Sequence, residues 1–429
     1  GHGPHRAANA EALFADLPTV IMTKPSRHQG IKASRVVKRS ARLSIATVMG
    51  ALCLVLGAFK VSADSGDFLL VRRPLEVQPI RLVAVTDQSL VHLKDDQGFV
   101  TLPLSECIAL LNPSTASAPA PLPRSGGLLL LADGQRLPGD AAAGVKPAND
   151  SLAWNHPWLG RLDVPLKLIA AVIVKPGLLP PETGIKDVIV FANGDRQEGI
   201  IVGLGDPVAM EVEVEGSSRV IDVPLDRIAA LSLIAPKQQS VGKRIWFEEG
   251  TVLDVQSVAV GDDQFVKLTG SAVANGTQPT GVRLSQIAAV LLDSKALLPL
   301  ADLAPSRLEG PITRYTLTKP ELLDAEAPLN LSRIELRGPI VVRYALPAGC
   351  ARFTAEAVLP AAARNWGDCE LIVRLDDAVA FTARLNAETP EATISIPVTG
   401  RELTIEVAAG ARGPIQDHVI LTRAMLLRK

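Results

Sequence analysis

A nine-residue phrase occurs four times in this chain, so any fold it adopts must be built on one structural unit used repeatedly. The copies are Leu102-Pro103-Leu104-Ser105-Glu106-Cys107-Ile108-Ala109-Leu110, Val164-Pro165-Leu166-Lys167-Leu168-Ile169-Ala170-Ala171-Val172, Val223-Pro224-Leu225-Asp226-Arg227-Ile228-Ala229-Ala230-Leu231 and Val282-Arg283-Leu284-Ser285-Gln286-Ile287-Ala288-Ala289-Val290. Their matching leucines, Leu104, Leu166, Leu225 and Leu284, stand 62, 59 and 59 residues apart, the mark of an internal duplication.

Three copies open with a short apolar run and a tight turn: Leu128–Leu131 before Asp133-Gly134, Val188–Phe191 before Asn193-Gly194, and Ile245–Phe247 before Glu249-Gly250. Such Gly-containing pairs supply the positive backbone angles of a hairpin. In Met210-Glu211-Val212-Glu213-Val214-Glu215 the apolar side chains recur every second residue, which puts them on one face of a half-buried strand. The phrase itself reads as a helical turn entered through proline, where no backbone donor is needed, followed by a last strand that closes the sheet. Arg283 replaces the proline in the fourth copy. Aromatics are only 3% of the chain, so its cores must be Val, Ile, Leu and Ala, as suits short strands in small modules. This order of elements resembles small SH3-like barrels, and Asn193-Gly194 with Glu198-Gly199 is similar to the Sm-like variety. The expected units are 69–111, 126–175, 186–235 and 242–294, with a Pro/Ala/Ser linker at 112–125 that should be extended.

Charge is distributed unevenly. Residues 1–63 carry nine Lys/Arg against Glu11 and Asp16, which leaves 35 basic and 43 acidic residues in the remainder, a net of −8. An acidic body excludes counterion-driven nucleic-acid binding, and paired acids at Asp95-Asp96 and Asp262-Asp263 read as solvated turns. Beyond residue 63 the only histidines are His92, His156 and His418, in three separate segments, and the four cysteines have no C-x-x-C spacing. No metal site, redox centre or cofactor motif is indicated. Nor does any arrangement of residues point to an enzyme.

Basic residues from Arg27 to Arg42 precede an uncharged apolar run, Leu43–Phe59, and then the small residues Val61-Ser62-Ala63. Residues 1–42 read as an unstructured leader and 43–63 as an export signal or, uncleaved, an apolar helix anchoring the chain in a membrane through 43–59. Cys53, inside that run, reads as lipid-facing or as core filler. The rest of the chain is then expected outside the cytoplasm, in a periplasm or at a cell surface, where disulfides are permitted. Cys350 and Cys369 fall in one module and either pair or stay as separate buried thiols.

From Ser306 to Lys429 the strands lengthen, as in Glu370–Leu375, Ala392–Ile396 and Glu402–Val407, with turns at Asp376-Asp377, Thr399-Gly400 and Gly410–Gly413. Strands at this density predict a two-sheet sandwich over 306–429. The fold expected for the whole is all-β: tandem small antiparallel barrels followed by a jelly roll.

Five phrases carry a family resemblance: Tyr344-Ala345-Leu346-Pro347 with Arg352-Phe353-Thr354-Ala355, Gly367, Val373-Arg374-Leu375-Asp376-Asp377, Ile396-Pro397-Val398-Thr399-Gly400-Arg401-Glu402-Leu403, and Gln416-Asp417-His418-Val419 leading to Ala424-Met425-Leu426. Residues 329–429 thereby resemble the novel putative carbohydrate-binding module (NPCBM), a galactose-binding-like jelly roll. The resemblance implies glycan binding without catalysis. Ile420 and Leu421 stand where that family carries an acid and a tryptophan, which leaves Trp366 and then Tyr344 as candidates to stack on a sugar, with Asp417 and His418 as polar candidates. Trp366, following Ala361-Ala362-Ala363, reads slightly better as a cap over the core, and Asp417 better as a group that orients a backbone amide. The function expected is presentation of a glycan-binding module, for a glycan or cell-surface polysaccharide, on an array of barrels. The alternative is a structural adaptor for protein partners.

Overall fold

The computed structural model describes residues 67–93, 98–114, 126–142, 151–236, 238, 240, 242–261, 263–271, 282–310, 319–324 and 326–429. The apolar run 43–59 with Cys53, most of the 112–125 linker, Asp95-Asp96 and Asp262 lie outside them. Asp263 is at a turn, its Oδ1 accepting from the Phe265 amide at 3.1 Å.

The fold is all-β, and among the described residues the only helices are short 3-10 turns. The first copy consists of strands Asp67–Arg72, Glu76–Val85, Ser89–Leu93, Phe99–Pro103 and Cys107–Leu111. Its first strand lies between the second and the last, and the third and fourth follow in hairpins. Copies two and three repeat that order with strands beginning at Gly127 and Asp187. In copy four the second strand is interrupted between Val255 and Ser257. The opening turns close identically: Gly134, Gly194 and Gly250 at φ 88, 90 and 97° donate to Leu131, Phe191 and Phe247 carbonyls. Only a residue without Cβ adopts that region cheaply.

The repeated proline occupies one environment. Pro103, Pro165 and Pro224 have φ/ψ of −63/136, −58/133 and −56/137°, the first two ending a fourth strand and Pro224 directly following one, and each opens a 3-10 turn whose first carbonyl accepts from the next strand's amide. Arg283 holds the same position at −94/151°. A fifth instance stands at Leu298-Pro299-Leu300-Ala301-Asp302-Leu303, where Pro299 has φ/ψ −61/138° and the Leu303 amide donates to the Leu300 carbonyl at 3.0 Å. The sequence suggests only a boundary there; the structure shows the phrase without its barrel, its strand Leu297–Pro299 paired with the chain's last strand.

The closing strands are almost wholly buried because each serves two interfaces. In Ile-Ala-Ala-Val and its variants the outer pair faces the strand's own barrel core, as with Ile287 and Val290, while an inner alanine faces a neighbouring barrel. Copy one joins copy four through Leu111↔Ala289, Leu110↔Val290 and Ala109↔Leu291, and copy two joins copy three through Ala171↔Ser232, Val172↔Leu231 and Ile173↔Ala230. Alanine lets these strand faces approach. Ala289 is fully buried in that joint, so Ala289→Leu should lower stability by about 1–3 kcal/mol through overpacking, read in chemical denaturation.

The described residues between 297 and 429 form the sandwich. One sheet contains Glu321–Leu322, Ile334–Arg337, His418–Arg428, Cys350–Val358 and Glu391–Pro397, in that order. The facing sheet contains Arg307–Glu309, Ile340–Ala345, Glu402–Ala409, Cys369–Leu375 and Ala378–Leu385. Period-two alternation puts Leu371, Val373, Ile405, Val407 and Phe353 between the sheets. A further cluster, including Ala109, Leu111, Ala289, Leu297, Met425 and Leu427, seats the sandwich on the first and fourth barrels.

Candidate functional site

Two loops meet at one end of the sandwich. Residues 359–368 lead into strand Cys369–Leu375, and residues 410–417 lead into the last strand. Gly367 and Gly410 permit the meeting: a Cβ on Gly367 would lie 2.8 Å from the Gln416 carbonyl oxygen, and one on Gly410 would collide with the Asp368 carbonyl. Across this seam the Asp368 amide donates to Asp417 Oδ1 at 3.2 Å, and Arg412 Nη1 donates to the Asn365 carbonyl at 3.0 Å. Asp368 is clamped further. Arg384 Nε and Nη2 donate to its two carboxylate oxygens at 2.7 and 2.8 Å, and the Ala411 amide adds a bond at 3.1 Å. The Arg384 guanidinium accordingly holds the Asp368 carboxyl below the usual carboxylate range.

On this braced tip Trp366 is exposed, with 59% of its surface open. It is an outward platform, not the core cap that the preceding alanines suggest. Its amide and that of Gly367 donate to the Ala363 carbonyl at 3.3 and 2.7 Å, which closes the turn beneath the indole. Ile415, also more than half exposed, stands in the facing loop. Sequence reasoning missed Arg384, Asp368 and Arg412, since their partners are joined only by the fold.

The other sequence candidates divide. Asp417 is 1% exposed and orients a backbone amide as expected, while its Oδ2 has no hydrogen-bond partner among the described residues. Burial pushes its carboxyl up from the ordinary value. Tyr344 is a core residue, 2% exposed and packed between the sheets, which removes it as a stacking surface. Its register opposite Leu403 puts it four residues, about 13 Å, along its strand from Ile340 and the loop end. His418 follows Asp417 into the strand, faces the other way, and its Nδ1 lies 3.6 Å from Glu335 Oε1. Trp366 and Asp417 are therefore brought together; Tyr344 and His418 are not.

Cys350 and Cys369 are free thiols that begin strands in different sheets, so the disulfide is not formed. Burial raises the Cys350 thiol and, with the Asp417 and Asp368 charges, pushes Cys369 up to about 12. A shift in this direction disfavours the thiolate, the form that acts as a nucleophile. No group of three or more metal-ligating side chains occurs among the described residues, and no described helix is long and apolar enough to cross a membrane.

Solved structures similar to this chain include carbohydrate-binding modules. One is the family 51 module from a Clostridium perfringens family 95 glycoside hydrolase in complex with methyl-galactose, 15% identical, covering 30% of this chain and 99% of that one, at a TM-score of 0.26. Another is the tandem family 51 modules of the family 98 glycoside hydrolase from Streptococcus pneumoniae SP3-BS71, 9% identical over 84% of this chain and 88% of that one, at 0.27. A family 6 module from Clostridium stercorarium in complex with cellobiose is 13% identical over 31% and 93%, at 0.19. Superpositions this loose carry no argument by themselves, and the architecture rests on the strand pairings above. No protein-family model and no curated protein matches the sequence.

Proposed function

We propose that this chain is an exported, non-catalytic carbohydrate-binding protein whose C-terminal sandwich takes a glycan against Trp366, the barrels serving as its platform. The observation carrying this reading is an indole left open on a tip that hydrogen bonds and glycine contacts hold still. The C–H face of a pyranose buries apolar area against such a ring, and a platform fixed before binding saves the entropy of ordering it. Binding of the purified protein to a glycan array is the test. Trp366→Ala is expected to weaken every glycan signal by at least about tenfold, as for a central aromatic anchor. An unaltered binding profile in that variant would discard the reading.

A second reading, an adaptor for protein partners, is supported by the third barrel. The second strand of copy four abuts those of copies one and two through Val85↔Val260 and Arg136↔Val252. The equivalent strand of copy three carries exposed Ile200, in register through Glu211 with exposed Val220 on the edge strand Ser217–Val223. Crosslinking from this face to a single protein, without any glycan signal, would select the adaptor.

A further inference from the structure

The charges around Trp366 narrow the class of saccharide. Three guanidinium groups bracket the turn that bears the indole, and they differ in what neutralises them. Arg384 is spent on Asp368 through two short bonds. Arg364 donates to the Leu359 carbonyl at 3.2 Å and has Glu391 at 3.7 Å. Arg412 is exposed and donates only to the Asn365 carbonyl, the peptide group immediately before Trp366; no carboxylate lies within ion-pair distance of it among the described residues. The acids nearby are otherwise engaged: Asp368 with Arg384, Glu391 with Arg364, and Asp417 enclosed beneath the seam, while Glu388 faces Arg384. Arg412 is thus the one of the three guanidinium groups without an ion-pair partner among the described residues, though it stands near enough to Asp368 to help hold that carboxyl charged.

Resting on the glycan reading of Trp366, we propose that the ligand is an anionic saccharide, a uronate or a sulfated sugar, whose acid group pairs with Arg412 while its ring lies on the indole. A guanidinium is planar and offers five donors in a fixed fork, which matches the oxygens of a carboxylate or sulfate two at a time. Only one of those donors is used within the protein, so the fork is free to receive the acid without breaking a salt bridge. Its tether to the Asn365 carbonyl fixes the distance between charge and ring. A neutral sugar of the same shape gains the stacking and leaves this charge to water.

The test is calorimetric titration of the purified full chain with three oligosaccharides of equal length: an oligogalacturonate, a sulfated oligogalactan and a neutral oligogalactan. At least one anionic ligand is expected to bind about tenfold or more tightly than the neutral one, in keeping with charge-assisted bonds, and the two anionic arms separate carboxylate from sulfate. Arg412→Gln should bring the anionic affinity down to the neutral level, and Arg412→Lys should restore part of it, which a lost fold would not. Raising salt from about 0.05 to about 0.5 M should erode the anionic preference. Equal affinity for neutral and anionic ligands, or a preference that survives Arg412→Gln, overturns the proposal while leaving Trp366 as a neutral-sugar platform. Binding of all three unaffected by Trp366→Ala instead overturns the glycan reading beneath it.

Discussion

Replacing Arg244 by alanine is expected to cost about 3–5 kcal/mol of folding stability. Arg244 lies in the first strand of copy four, where its Nε and Nη2 donate to the two carboxylate oxygens of Asp254 at 2.6 and 2.9 Å. Nη2 also reaches the Asp133 carbonyl of copy two at 2.7 Å. The connection is returned from the other side, because Gln135 Oε1 accepts from the Asp254 amide at 2.8 Å and the Gln135 amide and side chain both donate to Asp133. Arg244 and Asp254 are each at least nine-tenths buried. Removing the cation leaves a carboxylate facing a low-dielectric joint without its partner, and that desolvated charge, more than the lost bonds, sets the cost. Urea denaturation followed by circular dichroism measures it. The double variant Arg244→Met with Asp254→Leu should recover most of the loss, since replacing both members removes the charge as well as the pair. A deficit below about 1 kcal/mol in the single variant would mean that water reaches the joint.

The second large effect appears as a slope against pH. His156 of copy two is buried beside copy four: its Nδ1 accepts from the Trp158 and Leu159 amides, both at 3.2 Å, which leaves Nε2–H to donate to Thr251 Oγ1 at 3.0 Å. Burial pushes its pKa down from 6.5 to about 4. Two residues from Thr251, the Glu249 carboxylate oxygens are buried, and burial outweighs weak hydrogen bonding from Thr251 to push that carboxyl up from 4.5 to about 7. In the window where His156 is charged only in the unfolded chain, about pH 4 to 6.5, the unfolded state binds the extra proton and stability rises with pH. Glu249 acts oppositely: from about pH 4.5 to 7 the folded state holds the extra proton, so stability falls as pH rises. Each contribution is roughly 3 kcal/mol over its window. The two offset one another where the windows overlap. Relative to the wild type, Glu249→Gln should therefore steepen the rise of unfolding free energy with pH over that overlap, and His156→Gln should steepen the fall. Denaturation midpoints at a series of pH values read both, and parallel curves for the three proteins would contradict them.

Much of this fold was legible because period-two alternation and turn chemistry are local. Asn193-Gly194 and the proline phrase declare themselves within a few residues, and the burial of Tyr344 could have been read from its parity with Ile340 and Val342 in one strand. What escaped was set by register between distant segments. The two alanines of the closing phrase look like mild strand residues until copy four is paired with copy one, and the fifth proline phrase was hidden because it follows Leu284 by 16 residues and has lost its barrel. The tip was half legible. Trp366 and Asp417 stood out by type and by family likeness, but their setting depends on bonds from Asp417 and Arg412 across 49 and 47 residues, and no local pattern reveals that an indole after three alanines points outward.

The nesting of the joints, one with four around two with three, dictates an order of arrival during synthesis. The second barrel meets its mate as soon as the third emerges, whereas the first must keep Ala109 and Leu111 uncovered until Ile287–Leu291 has been made. At ribosomal speeds that interval is on the order of ten seconds or more, and throughout it the nascent polypeptide trails a sticky seam. Until the fourth barrel appears, that seam is the stretch of the nascent chain most open to wrong pairing.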